Sequence, residues 1–235
     1  MRRTRPFLAA IAIITVIGGC SKIESTKAPA SDEAAERTPT VGTGGAGANV
    51  DSDSDFVHDV ASKNLAEIDL SRMALNKTSS SNVKAFAQMM IDEHGAAAST
   101  LKSIVTGQAI EWPARLDEKH RETAEELGQK QGVDFEREYL KAMIESHQNL
   151  AAKLESRLDV QSLADWKTAA AARAQSKAMP EPNDAMRDVA VRPSKSDNDI
   201  TMKINQWAAD TYPVAQKHLD TARLLENAVK KRSTN

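Results

Sequence analysis

Residues 83–104, VKAFAQMMIDEHGAAASTLKSI, decide the fold class of this chain. Apolar side chains recur in this stretch at spacings of three and four, which is the repeat of an amphipathic helix. The same repeat runs through stretches that begin at Phe56, Val133 and Asp199. Aromatic residues make up only 4% of the chain, and no hairpin-type turn separates alternating apolar runs, so an all-β fold is disfavoured. The chain is therefore predicted to be an all-α protein whose four long helices form a bundle.

Two segments between these helices are predicted to be additions to the bundle. Residues 114–130 are highly charged and are interpreted as a short connector helix. Residues 160–198 begin as an Ala-rich stretch, contain Pro180, Pro182 and Pro193, and are interpreted as an insertion. Pro213 lies within the last helix and is expected to kink or interrupt it. The folded domain is predicted to span residues 51–235.

The N-terminal segment has the pattern of an export signal. Arg2, Arg3 and Arg5 precede an apolar run of thirteen residues, 7–19, which is shorter than the roughly 20 residues needed to span a bilayer. The run ends in Gly-Gly directly before Cys20, the only cysteine, and this ending resembles the lipobox of bacterial lipoproteins. Residues 1–19 are therefore interpreted as a lipoprotein signal peptide and Cys20 as the lipid attachment site. The alternative is a short membrane anchor with an incidental thiol.

The predicted lipoprotein would be held in the cell envelope. Residues 20–50 are rich in Ser, Thr, Ala, Pro and Gly, and such a segment is expected to act as a flexible tether. Ser21 follows the cysteine, and the resemblance to Gram-negative lipoproteins then implies an outer-membrane anchor that faces the periplasm. The predicted partner is therefore the membrane, through the N-terminal lipid. A formal charge of −2 gives no basic surface for nucleic acid, and no protein partner is indicated.

Polar residues interrupt the apolar face of each long helix. His94, His147 and His218 each stand at the centre of such a face, and Glu67 lies in the apolar sector of the first helix. Counted from the predicted turn near Ser80 at 1.5 Å per residue, Glu67 and His94 lie at nearly the same height, about 20 Å from the turn. Buried carboxylates are costly unless they are paired or bind a metal. These four residues are therefore predicted metal ligands, the alternative being a buried hydrogen-bond network.

A short internal repeat suggests which metal would bind. Residues 90–94 and 143–147 share the pattern Met-Ile-acid-x-His, which places Met90 and Met143 one helical turn from a histidine on the same face. Thioether sulfur selects copper(I), whereas imidazole suits both copper and zinc, so copper is the first expectation and zinc the second. The alternative for both methionines is ordinary core packing.

The same residues carry a resemblance to a known family. The motifs at 55–57, 65–68, 83–94, 135–147 and 212–219 are similar to those of a bacterial ferritin-like family of unknown function, whose members are commonly labelled predicted outer membrane proteins. The resemblance covers about 52–158 and 199–226, with Glu93 and Glu136 in place of the usual aspartate. It implies a ferritin-like four-helix bundle that faces the periplasm, with the three histidines at family positions.

Three functions fit these patterns. The first is an envelope lipoprotein that binds a transition metal at the bundle centre without catalysing a reaction. The second is a metal-free helical module for protein interaction or stress tolerance. The third is an oxidoreductase, but di-iron bundles use paired Glu-x-x-His motifs, and here Ile91 and Ile144 occupy the glutamate positions. No catalytic residue is predicted.

Overall fold

The computed structural model describes residues 52–175 and 189–233, and in this part of the chain all regular structure is helical. The all-α prediction is therefore confirmed. The predicted signal peptide, the tether and Cys20 lie outside the described residues. The helices are α1 (Asp53–Lys77), α2 (Ser81–Val105), α3 (Glu118–Gly128), α4 (Gly132–Glu155), α5 (Val160–Gln175) and α6 (Asp199–Ser233).

Side-chain caps fix where the helices begin. The Ser52 hydroxyl accepts a hydrogen bond from the Asp55 N–H at 3.1 Å, and the Asp117 carboxylate accepts one from the His120 N–H at 2.9 Å. Each cap satisfies one of the backbone donors that the first helical turn leaves free. Only residues 78–80 separate α1 from α2, so these two helices must pack side by side in opposite directions.

The four long helices, α1, α2, α4 and α6, form the predicted bundle. Helix α1 packs against α2 and α4, and α6 packs against the same two helices. Helices α1 and α6 are therefore diagonal to each other, as are α2 and α4. The short helix α3 contacts α1 and α4, as expected for a connector.

The interior of the bundle contains two apolar clusters with a polar layer between them. One, the Phe56 cluster, also includes Leu101, Leu154 and Ile204. The other, the Tyr139 cluster, includes Phe135, and the rings of Tyr139 and Phe135 are stacked with their centroids 6.2 Å apart. On every long helix the two clusters are separated by two to three turns, and buried polar residues of these turns form the polar layer: Asn64, Glu67, His94, His147 and His218.

Helix α6 and the 160–198 segment differ in part from what the sequence predicts. Helix α6 runs without interruption through Pro213, although this residue has no N–H to donate to the preceding turn. Within the 160–198 segment, Trp166 and Val191 are buried in the Phe56 cluster, so the described part of this segment packs on the bundle. Among the described helices, none combines the length and apolar character needed to cross a bilayer.

Candidate metal centre

The polar layer brings together the four residues that the sequence singled out as one group. Glu67 comes from α1, His94 from α2, His147 from α4 and His218 from α6. All four side chains are buried, and His147 is fully inaccessible to solvent. Each stands at a position where the helical repeat requires an inward-facing residue. Glu67 and His94, which the sequence places at nearly the same height, lie in one layer with His147 and His218.

The three imidazole rings converge on one point. His147 Nε2 lies 3.3 Å from His94 Nε2 and 3.3 Å from His218 Nδ1. One nitrogen from each ring falls within 4.8 Å of the other two. Ring centroids are 5.2 to 5.3 Å apart, so the rings meet at their edges and do not stack face to face.

The remaining nitrogen of each ring contacts an oxygen atom outside the group. His147 Nδ1 lies 2.9 Å from the Met143 carbonyl oxygen, and His218 Nε2 lies 2.8 Å from Glu93 Oε2. His94 Nδ1 lies 2.7 Å from Asn64 Oδ1 and 2.9 Å from Glu67 Oε2. Carbonyl and carboxylate oxygens only accept hydrogen bonds, so these three outer nitrogens must carry the protons.

This assignment fixes the state of the inner nitrogens. A neutral imidazole has one N–H and one lone pair, so a proton on each outer nitrogen leaves a lone pair on His94 Nε2, His147 Nε2 and His218 Nδ1. Three lone pairs that face each other cannot hydrogen-bond without a further proton. They have instead the arrangement that metal-binding histidines adopt, in which the outer N–H is held by an oxygen acceptor.

The pKa shifts favour neutral imidazoles in two of the three rings. Burial, together with the neighbouring His94 and His147, lowers the pKa of His218 to about 4, although Glu93 acts in the opposite direction. Burial also lowers the pKa of His147, although the Glu67 carboxylate opposes the shift. Neutral imidazole is the form that binds metal ions.

Glu67 lies beside the outer nitrogens and not at the point of convergence. Its oxygens are 2.9 Å from His94 Nδ1 and 3.3 Å from His147 Nδ1. Neither oxygen makes a hydrogen bond of good geometry within the described residues. Burial acts to raise the pKa of Glu67, but the positive charge that His147 and His94 carry when protonated, together with the nearby Ser146 side chain, outweighs burial and holds it below the usual range. A charged Glu67 therefore requires a positive charge in the layer, either on these rings or on a bound cation.

The two methionines predicted as soft ligands are placed differently. Both side chains are fully buried in the Tyr139 cluster. Met143 contacts His147 through its backbone carbonyl oxygen, and no described contact joins either sulfur to an imidazole. Coordination by Met90 or Met143 thus stays a prediction, as does lipid attachment at Cys20, which lies outside the described residues.

Two residues at the site were not predicted from the sequence. Asn64 stands three positions before Glu67 on α1 and faces His94, a spacing that puts it on the same helical face. Glu93 directly precedes His94 on α2, yet it contacts His218 of α6. Its side chain is 37% exposed, so the carboxylate reaches the polar layer from the bundle surface. Adjacent residues point to different faces of a helix, and for that reason sequence spacing gave no signal for Glu93.

The spacing of the inner nitrogens suits a single tetrahedral ion. Two nitrogens bound to one Zn²⁺ at about 2.0–2.1 Å stand about 3.3 Å apart. Two of the three nitrogen pairs in the polar layer have this separation, 3.3 Å. The site thus offers three imidazole donors, with a carboxylate or carbonyl oxygen behind each ring.

Comparisons with known proteins identify the family and nothing finer. The profile of a domain of unknown function, DUF4142, matches residues 38–180, which include Glu67, His94 and His147 but not α6. Neither the curated proteins nor the solved structures contain a match to this chain. Because the matched range covers more than half of the chain, the protein belongs to the DUF4142 family.

Proposed function

We propose that this protein is an envelope lipoprotein that binds one divalent transition-metal ion through His94 Nε2, His147 Nε2 and His218 Nδ1. The observation that carries the proposal is the convergence of three lone-pair nitrogens, each on a ring whose other nitrogen donates to an oxygen. In a metal-free network this convergence would be unfavourable, because no hydrogen lies between the three acceptors.

Charge balance supports a divalent ion. Glu67 is buried and has no hydrogen bond of good geometry among the described residues, and a buried charge without compensation costs several kcal/mol. Together with Glu93, it places two negative charges around the three rings. An ion of charge +2 would neutralise both. We therefore assign Glu67 the role of a countercharge to the ion, beside the outer nitrogens of His94 and His147, a departure from its predicted role as a direct ligand.

The donor set narrows the choice of ion. The expectation of copper(I) depends on thioether sulfur, and the described contacts of Met90 and Met143 are made within the Tyr139 cluster. Imidazole nitrogen alone suits Cu²⁺ and Zn²⁺ equally well. We propose these two ions as the candidates. One ligand residue from each of several facing helices is also how ferritin-like bundles build their metal sites, which supports the ferritin-like assignment.

The envelope location rests on the N-terminal sequence. A positive segment, a short apolar run and Cys20 are together typical of lipoproteins. We propose that the lipid on Cys20 anchors the protein in the outer membrane, and that residues 21–50 tether the bundle in the periplasm. The protein would then acquire its ion from the periplasm and not from the cytoplasm.

Elemental analysis of the full chain tests metal binding. The protein is extracted from cell envelopes with detergent and without chelator, and its metals are measured by mass spectrometry. We expect about one zinc or copper ion per chain. A variant in which His94, His147 and His218 are all changed to Gln should contain none, whereas the exposed His58→Gln control should keep the ion. A wild type that stays metal-free after dialysis against each ion would establish the hydrogen-bond network instead.

A further inference from the structure

A groove with mainly apolar walls lies on the surface of the bundle between α2 and α6. Its volume is about 490 Å³. Residues 95–100 of α2 are all Gly, Ala, Ser or Thr, so this helix presents only small side chains beside Trp207 of α6. The apolar residues of the lining are Ala96, Ala97, Ile104, Trp207 and Val214. Grooves of this volume with mostly apolar walls and a few polar groups are typical of sites for small ligands.

Two charges of opposite sign stand at different heights along this groove. Lys203 and Asp210 both belong to its lining, and both are exposed. They are seven residues apart on α6, which places them on one face of the helix and about 10 Å apart along its axis. Neither forms an ion pair with another residue in the described part of the chain. Glu93, the third charged residue of the lining, is paired with His218.

This arrangement of charges selects a ligand that carries both signs. A ligand with charge of a single sign would meet one residue of its own sign, either Lys203 or Asp210. A single amino acid is too short to reach both, because its ammonium and carboxylate groups are bonded to the same carbon. The ends of an extended tripeptide are about 10 Å apart, since each residue adds 3.3–3.6 Å. Its two terminal charges therefore match the spacing of the two side chains.

Two hydroxyl groups of the lining suit a peptide backbone. Thr100 Oγ1 donates a hydrogen bond to the Ala96 carbonyl oxygen at 3.0 Å, and Thr211 Oγ1 donates one to the Trp207 carbonyl oxygen at 2.7 Å. Each hydroxyl proton is thus used within its own helix, and the oxygen lone pairs remain to accept from peptide N–H groups. In an extended tripeptide the first and third side chains point to the same side, so both can lie against the apolar wall.

We propose that the α2–α6 groove binds a short apolar peptide with free termini, whose carboxylate lies beside Lys203 and whose ammonium group lies beside Asp210. This function is separate from metal binding, because none of the three histidines lines the groove.

Titration of the full-length protein with the tripeptide Leu-Ala-Leu, followed by Trp207 fluorescence, tests the proposal. Leu-Ala-Leu should bind at least about tenfold more tightly than Ala-Ala-Ala, because each buried methylene group gives about a fourfold gain in affinity. Amidation of the C-terminus and acetylation of the N-terminus should each weaken binding about two- to fivefold, the range for exposed ion pairs. Equal binding of the free and the doubly blocked peptide would overturn the proposal, as would the absence of binding.

Each blocked peptide has a matched protein variant. In Lys203→Gln, amidation of the C-terminus should no longer weaken binding, whereas acetylation of the N-terminus should keep its effect. Asp210→Asn should show the reverse. If both variants leave the two effects unchanged, the termini do not lie beside these side chains and the proposal fails.

Further variants test whether the peptide binds in the groove. Ala96 is exposed on the α2 wall, so Ala96→Leu should occupy the space of a ligand side chain without disturbing the core, and weaken binding about tenfold or more. Ala164→Leu, on the exposed face of α5, is the matched control and should change nothing. The fluorescence change should disappear in Trp207→Phe, although Trp112 and Trp166 remain. If a second copy of this chain covers the groove instead, sedimentation would show a dimer that Ala96→Leu dissociates, and this result would overturn the proposal.

Discussion

Glu67 and Glu136 are both buried in the bundle, and their surroundings differ. Glu136 accepts hydrogen bonds from the Thr78 hydroxyl and, at 2.6 Å, from the Arg232 guanidinium. Its charge therefore has a partner of opposite sign at the end of the bundle. Glu67 lies beside two imidazole nitrogens, at distances of 2.9 and 3.3 Å, and near the Ser146 side chain. Glu136 has the partners of a structural residue, whereas the charge of Glu67 is explained best by a nearby cation.

This difference predicts opposite consequences for metal binding. Glu67→Gln should weaken metal affinity about 10- to 100-fold, because carboxylates beside the outer nitrogen of a ligating histidine contribute that much. Glu136→Gln should leave metal affinity unchanged, although the loss of charged hydrogen bonds should lower the free energy of unfolding by about 1–3 kcal/mol. Isothermal titration of the metal-free variants with Zn²⁺ measures the affinities. Equal affinities in the two variants would show that Glu67 has no role at the metal.

Asp59 gives a pH-dependent contribution to stability. Partial burial acts to raise its pKa, but Lys63 Nζ at 2.6 Å and Lys153 Nζ at 3.2 Å outweigh burial and lower it. A carboxyl group with a lowered pKa in the folded state stabilises the protein at pH values above its unfolded pKa of about 3.9. That contribution is lost as the pH falls through the folded value.

We therefore expect Asp59→Asn to cost up to about 1 kcal/mol of unfolding free energy at pH 7, the usual range for half-exposed ion pairs. The difference from wild type should shrink below about pH 4 and be lost as the pH falls through the lowered pKa of the folded state. Urea unfolding across this range measures it. Asp69→Asn is the control, since Asp69 has a single exposed partner, Arg72, at 3.9 Å. A difference that persists unchanged to low pH would rule out the ion pairs as its cause.

At the scale of elements, the described parts of the 160–198 segment, 160–175 and 189–198, pack on one end of the bundle. The Trp166 ring of α5 meets the Tyr212 ring of α6 at a centroid distance of 5.2 Å and an angle of 73°. Arg192 lies beside the residues that follow α4, where its carbonyl oxygen accepts a hydrogen bond from the Asp159 N–H at 2.9 Å. These contacts join the segment to the Phe56 cluster through few residues, with Trp166 at their centre.

Trp166→Ala should therefore destabilise the bundle by about 3 kcal/mol, the lower end of the range for buried aromatic residues. Val160→Ala lies on the same helix at a position that is 82% exposed, and should cost less than about 0.5 kcal/mol. Thermal unfolding followed by circular dichroism compares the two. Similar costs for both variants would indicate that α5 does not pack on the bundle in solution.

For the molecule as a whole, the sequence predicted the helices and the polar layer but not the chemistry of that layer. Apolar periodicity determines which face of each helix is buried, and the short turn near Ser80 determines the relative heights of Glu67 and His94. The partners of each ring come from other helices, as with Glu93 and His218. Such pairs depend on helix rotation and side-chain rotamers, which a single sequence does not specify. Side-chain rotamers also determine where the Met90 sulfur lies, so the spacing that puts Met90 on the histidine face does not specify a contact with an imidazole.

The location of the protein is a second prediction at this scale. Cys20→Ser should leave an unlipidated precursor that no longer partitions into the detergent phase of a Triton X-114 extraction, because acyl chains provide the membrane affinity. Wild-type protein should partition into the detergent phase, and its mass should match a lipid-bearing N-terminus at Cys20. An envelope protein whose mass includes an intact segment 1–20 would contradict lipid attachment.

Metal loading should stabilise the whole bundle, because three helices each contribute one histidine ligand and the fourth contributes the nearby Glu67 carboxylate. In the unfolded chain these residues are dispersed, so the ion binds the native state. At a free metal concentration 100 times the dissociation constant, the gain is about 2.7 kcal/mol, which corresponds to a rise in Tm of roughly 5–10 °C for a domain of this size. Changing His94 and His147 together to Gln should abolish the rise, whereas His58→Gln should keep it.

The metal-free network makes the opposite prediction for the same measurements. If the polar layer binds no ion, the addition of Zn²⁺ or Cu²⁺ would leave the Tm of the wild type unchanged. The double histidine variant would then differ only by a loss of stability, because Asn64 and the Met143 carbonyl oxygen contact those two rings in the present structure. A Tm shift in the wild type that the double variant lacks is therefore specific to metal binding. It also locates the ion between the two apolar clusters, where all four long helices meet.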